Sequence, residues 1–325
     1  MVRVTVKMAL YALLAVSLLA VALFFTAVGE HKQAEDAQNN LEENNFGLLD
    51  ESIADLSVEE FMEKQKSYIG SYSQLRLRIV ALLEGANGSY GIYMEDLVSG
   101  AWTGINEREG FVPASLAKVP LSMAIMKKIE NGDMSLDQKI ETIDSDLDPR
   151  YSEIAQNGSG QVYTVKELLT LMLRRSDNTA QAALYRQLSP EEMEEASIAV
   201  GIRSISKPEE DVKITPKQYS NIFRSLYFSS YLKRPSSQYL LSVMTNTKFR
   251  GVLQAGVPEG VKVAHKIGVW NNEKSYHDCG IVYYPDNPYF LCVMTKNSNP
   301  ERAEERIISI SREAYNFIDA SHKED

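Results

Sequence analysis

The sequence predicts an α+β protein: a five-stranded antiparallel sheet covered by N- and C-terminal helices, plus an all-helical lobe, preceded by one N-terminal transmembrane helix. Three observations carry this prediction. Strand-like runs fall in two groups, at residues 90–105 and 261–294, and the span between them is helical in character from Ser115 to about Gln254. A long uncharged stretch opens the chain. With 325 residues, 44% hydrophobic and 24% charged, the chain is long enough to bury a substantial core.

No charged residue lies between Lys7 and Glu30, and Met8 to Val28 is apolar except for Tyr11, Ser17 and Thr26, a length that spans a bilayer. Arg3 and Lys7 precede the stretch and acidic residues follow it, so the positive-inside tendency leaves everything after Glu30 outside the cytoplasm. Residues 1–29 are therefore read as a single-pass anchor in the cell membrane. Because Ala27-Val28-Gly29 also fits a cleavage site, a signal sequence and a secreted product are the alternative. No cysteine lies near the segment, which excludes a lipoprotein anchor.

Residues 30–56 read as an acidic flexible tether. Residues 30–60 carry ten acids against Lys32, so most of the net charge of −10 belongs to this spacer and not to the folded part. Nothing in the charge pattern supports nucleic-acid binding.

Residues 57–325 are the expected globular domain. Apolar residues at helical spacing from Ser57 to Leu83, among them Leu75, Ile79 and Leu82, give its first helix. Tyr90–Leu97 and Ala101–Ile105 form a hairpin through Val98-Ser99-Gly100. The helical lobe occupies about residues 115–256. Strands return at Val261–Val269, Tyr276–Tyr284 and Tyr289–Met294, the last two joined by Pro285-Asp286-Asn287-Pro288. A closing helix is capped by Asn299, starts on Pro300, and carries Ile307, Ile310, Ala314 and Phe317 on one face to cover the sheet. Cys279 and Cys292 flank the last turn almost symmetrically. A cross-strand disulfide and a pair of small buried thiols both fit.

Three short motifs carry chemistry. In Ser115-Leu116-Ala117-Lys118 a spacing of three on a helix puts the amine on the face of the hydroxyl, where a desolvated lysine takes the serine's proton. Ser-x-x-Lys recurs at Ser204–Lys207 and Ser230–Lys233, but only Ser115 has Pro113 ahead of it and an apolar helix behind it. That setting places it at a helix N-terminus, whose N–H groups favour a developing oxyanion. Ser176-Asp177-Asn178 occurs once, between two helical segments. Lys266-Ile267-Gly268 lies in a strand, with a lysine for an anionic substrate and a glycine for close backbone approach.

In this order and at these separations the three motifs resemble those of class A β-lactamases and penicillin-binding proteins. The resemblance covers roughly residues 86–320 and includes Ile214-Thr215-Pro216 at the start of a later helix. It implies a β-lactamase/transpeptidase-like fold and an acyl-enzyme hydrolase acting on β-lactams or on the peptidoglycan stem peptides they mimic. Ser115 would be the nucleophile, Lys118 its activator, and Ser176 the relay to the leaving nitrogen. Asn178 would hold the substrate's side-chain amide, and Lys266 would face the substrate carboxylate. Gly268 and Val269 would line the substrate, with the N–H groups of Ser115 and Val269 as oxyanion hole. Asp177 reads as structural, and the catalytic domain is expected to be monomeric.

Two departures modify the expectation. Ile267 stands where the family has Thr or Ser, which forfeits a hydroxyl worth about 1.5 to 3 kcal/mol to a bound carboxylate. The glutamate with an asparagine four residues on, which activates the deacylating water in class A enzymes, has no counterpart between Thr179 and Pro216. Only Glu209, Glu210 and Asp211 offer carboxylates near the end of that segment. Slow deacylation follows, with a penicillin-binding D-alanyl-D-alanine peptidase, or a catalytically silent wall-sensing module, as the alternatives. No cofactor and no metal are implied. The four histidines lack metal-ligand spacing, although His265 and His277 on neighbouring strands are near enough in register to be considered.

Overall fold

The computed structural model describes residues 47–49, 72–202, 212–249 and 252–323. The expected anchor at 8–28 and most of the expected tether lie outside the described residues, among which no helix is long and apolar enough to cross a membrane. Of the helix expected over 57–83, the described part is α1, residues 72–82.

The expected hairpin is β1 (Ser89–Asp96) and β2 (Trp102–Ile105), and the three later strands are β5 (Val263–Trp270), β6 (Ser275–Val282) and β7 (Tyr289–Lys296). They form one sheet in the order β2-β1-β7-β6-β5, antiparallel throughout. The N- and C-terminal strand groups meet where β1 pairs along its whole length with β7. This leaves β5 at an edge of the sheet.

One face of the sheet is sealed by α1 and by the C-terminal helix α8 (Pro300–Lys323). Leu75, Ile79, Ile307, Ile310 and Ala314 pack with Ile92, Leu291 and Val293, all at most 1% exposed. Asn299 accepts the N–H of Arg302 at 3.1 Å, so the cap expected from Asn-Pro is formed.

The lobe contains α2 (Lys118–Glu130), α3 (Val165–Arg174), α4 (Asn178–Tyr185), α5 (Pro190–Ala199), α6 (Pro216–Tyr227) and α7 (Arg234–Thr245). It is not all-helical as expected. Two three-residue strands, β3 (Lys139–Glu141) and β4 (Val162–Thr164), pair in a second sheet. Only Ile140 of the six is buried, so the segment carries no period-two signal long enough to read.

Two further features refine the sequence reading. Leu48 and Leu49, inside the expected tether, are 5% and 4% exposed; Leu48 N–H donates to Gln238 and its carbonyl accepts Tyr283 O–H at 3.0 Å. The compact unit thus begins at Gly47, ahead of residue 57. Cys279 and Cys292 are register partners on β6 and β7, and they form a disulfide with Cα atoms 3.9 Å apart.

Candidate active site

The first motif sits where the sequence places it. Residues Ala114–Ala117 make a 3-10 turn that runs directly into α2 at Lys118. Ala114, immediately before Ser115, has φ 49°, and Ser176 has φ 58°. Both are non-glycine residues in the left-handed region, a cost that surrounding structure sustains and that concentrates at functional sites.

Lys118 is wholly buried and joins the first two motifs. Its Nζ lies 3.2 Å from Ser115 Oγ and 3.2 Å from Ser176 Oγ, and it donates to the carbonyl oxygen of Ser176 at 2.6 Å and to Asn178 Oδ1 at 2.7 Å. The last two atoms only accept. Two amine hydrogens are therefore committed to them, and a third tetrahedral position faces the two hydroxyls.

The third motif arrives from the sheet. Lys266 Nζ, 2% exposed as a residue, donates to Ser176 Oγ at 2.9 Å and to the carbonyl of Ile267 at 3.0 Å. Burial holds the Lys266 amine well below the ordinary lysine range; the nearby Lys118 ammonium pushes the same way, and Asp278 opposes both. Ser176 Oγ thus bridges two amines.

Asn178 is oriented by its neighbours. With Oδ1 on a lysine, its Nδ2 donates to the carbonyl of Arg150 at 2.7 Å and to Asp148 Oδ2 at 3.3 Å. Asp177 is structural, as expected. Fully buried, it caps α4 through the N–H of Ala180 and accepts from Ser152 Oγ and the N–H of Glu153.

Gly268 makes a close contact within the chain itself. A Cβ there would stand 2.9 Å from the carbonyl oxygen of Pro113, 3.1 Å from Leu116 Cγ and 3.2 Å from His277 Cδ2. Its small size lets the 114–117 turn close on β5. Ile267 and Val269 line the cleft, and Ile267 is also part of the core cluster beneath the sheet.

Sequence reasoning missed the role of His277, whose only sequence signal was as a weak zinc candidate. Fully buried, it accepts the N–H of Thr295 at Nδ1 (3.0 Å), which leaves Nε2–H to donate to the carbonyl of Val112 at 2.9 Å. Burial pushes its pKa down to about 4, so the neutral ring holds the turn leading into Ser115. His265 is on the opposite face of the sheet, on Asp278 at 2.8 Å. Among the described residues no His, Cys, Asp and Glu cluster is arranged to hold a metal.

All three motifs border one cleft of about 830 Å³, walled by Leu121, Tyr151, Tyr185, Met193 and Trp270 among others. The carboxylates among its described lining residues are Asp146 and Asp148, bound by Arg186 and Arg150 respectively. Glu209, Glu210 and Asp211 lie outside the described residues.

Residues 74–318 match the family model described as the Beta-lactamase enzyme family. The β-lactamase CTX-M-8 of Citrobacter amalonaticus is 26% identical over 247 residues, 72% of this chain and 84% of that protein. A β-lactamase of Phocaeicola vulgatus is 28% identical over 242 residues, 66% and 75% of the two chains. Among solved structures, PBP-A superposes with a TM-score of 0.70 at 25% identity, covering 76% of this chain and 96% of its own. A variant of PBP-A, equally similar, was captured as an acyl-enzyme complex with penicillin G.

Proposed function

The chain belongs to the Beta-lactamase enzyme family and is a β-lactamase-like serine hydrolase, and from that premise we propose that Ser115 is its nucleophile, forming an acyl-enzyme with β-lactams and with the stem peptides they mimic. The observation that carries this reading is the placement of Lys118 Nζ 3.2 Å from both Ser115 Oγ and Ser176 Oγ.

The chemistry follows from the two amines. Lys118 in its neutral form takes the Ser115 proton as Oγ bonds to the carbonyl carbon. Negative charge passes to the carbonyl oxygen, in front of the N–H groups of Ser115 and Val269. The proton then returns from Lys118 through Ser176 Oγ to the leaving nitrogen as the C–N bond breaks, leaving the acyl group on Ser115. Asn178 positions the substrate amide, and Gly268 keeps the nucleophile turn against β5.

Deacylation is slow in this reading. Both described carboxylates of the cleft are tied to arginines, so among the described residues no free carboxylate stands ready to activate the deacylating water. That favours a penicillin-binding peptidase of the cell wall over an efficient β-lactamase as the second reading, and the likeness to PBP-A supports it. The protein works outside the cytoplasm, held to the membrane by residues 8–28 through the acidic stretch that follows.

Intact-mass spectrometry after penicillin addition, with Ser115→Ala as control, tests the proposal. An adduct on Ser115 that persists supports it, and one that clears quickly makes the protein an efficient β-lactamase. A wild-type protein that never gains mass overturns the nucleophile assignment.

A further inference from the structure

The two carboxylates of the cleft differ in kind. Asp146 is 3% exposed, with both oxygens on the Arg186 guanidinium at 3.2 and 2.9 Å and one also accepting the N–H of Ile143. It holds the 143–146 turn to α4's end.

Asp148 is placed otherwise. Its side chain is 24% exposed, it lines the cleft, and its Oδ2 sits 3.3 Å from Nδ2 of Asn178, whose Oδ1 is on Lys118. A carboxylate therefore stands two side chains from the nucleophile, beside the amide that positions the substrate. Its cation is Arg150, at 3.0 and 2.8 Å, whose side chain is 79% exposed. An ion pair at such an exposed rim is weak and is screened by salt. A cation delivered by the substrate can take the guanidinium's place. The Arg150 hydrogen bonds hold the Asp148 carboxyl below its usual range, so it is ionised when the substrate arrives.

Building on the acyl-enzyme reading above, we propose that Asp148 selects acyl donors carrying an ammonium group next to the amide that Asn178 holds. These are β-lactams with an α-ammonium side chain. The ammonium replaces Arg150 on Asp148, and the guanidinium turns to solvent. Sequence gave no signal for this residue, because one aspartate in a polar loop has no pattern.

Three penicillins that share a phenyl side chain and differ only at its α-carbon, with an ammonium, a hydrogen or a carboxylate, make the test. Their second-order acylation constants on the full chain are read by intact mass. The expected order is ammonium, then hydrogen, then carboxylate, about three- to fivefold per step at low salt, narrowing towards unity as salt screens the pair. Asp148→Asn collapses the ratios, and Arg150→Gln, which leaves the backbone carbonyl on Asn178, widens the ammonium preference. Fastest acylation by the carboxylate penicillin, or unchanged ratios in Asp148→Asn, overturns the proposal. Should the Asn variant not fold, a narrower ammonium preference in Arg150→Gln or salt-independent ratios in the wild type overturn it equally. If no penicillin forms an adduct on Ser115, the acyl-enzyme reading itself fails and this inference falls with it.

Discussion

Lys266 Nζ donates to Ser176 Oγ at 2.9 Å across 90 residues of sequence, from an edge strand of the sheet to a turn of the helical lobe. The amine is buried and its pKa depressed, so in the folded protein it releases its proton more readily than in the unfolded chain. Between the lowered folded value and the ordinary 10.5 the unfolded chain binds more protons, and stability therefore rises with pH through that window.

Lys266→Met removes the cost of holding that amine. The melting temperature of the variant relative to wild type is expected to be most favourable near pH 7 and to become less so as pH rises towards 10. Acylation should fall at least about 100-fold, the lower end of the scale for a lost proton-transfer partner. A melting difference independent of pH contradicts the depressed amine.

His277 is shifted in the same direction, in a lower pH window. It is neutral when folded, with a pKa of about 4 against 6.5 unfolded, so its contribution is fully present above pH 6.5 and is lost as pH falls towards 4, on the order of 3 kcal/mol in all. In His277→Asn the steepness of that acid loss should diminish. Loosening the Val112 carbonyl should also slow acylation about tenfold at neutral pH, read by the same mass assay.

Gly268→Ala drives a methyl to 2.9 Å from the Pro113 carbonyl oxygen. Backbone on both sides must shift, displacing Ser115 from Lys118. Acylation is expected to drop by about 10- to 100-fold, with destabilisation of about 1 to 3 kcal/mol. Wild-type acylation in this variant would show that the turn tolerates the displacement.

Leu48 and Leu49 are buried although an acidic stretch surrounds them. A chain beginning at residue 57 should be less stable than one beginning at residue 47 by about 3 kcal/mol, the scale of burying two leucines. Leu48→Asp with Leu49→Asp in the longer chain should reproduce the loss. Equal denaturant midpoints for the two chains would mean that the leucines contribute nothing.

The fold was legible because its signals are local. Alternating runs place the strands within a few residues, Asn299-Pro300 starts α8, and Pro113 ahead of an apolar helix singles out Ser115 from two other Ser-x-x-Lys matches. The order of the motifs, strands on either side of a helical insert, sufficed for the family. The pair β3 and β4 was missed because three residues with one buried side chain have no period.

The sequence by itself thus determined which elements form and which residue types the cleft receives. Tertiary structure alone decided what lies opposite each of them: a disulfide for Cys279 and Cys292, Ser176 between two amines, the turn that carries Ser115 against Gly268, and the Val112 carbonyl on His277. The physical reason is that periodicity records which face of an element leaves water. Hydrogen bonds between side chains far apart in the chain depend on distances of a few tenths of an ångström, which only the packing of sheet against lobe sets.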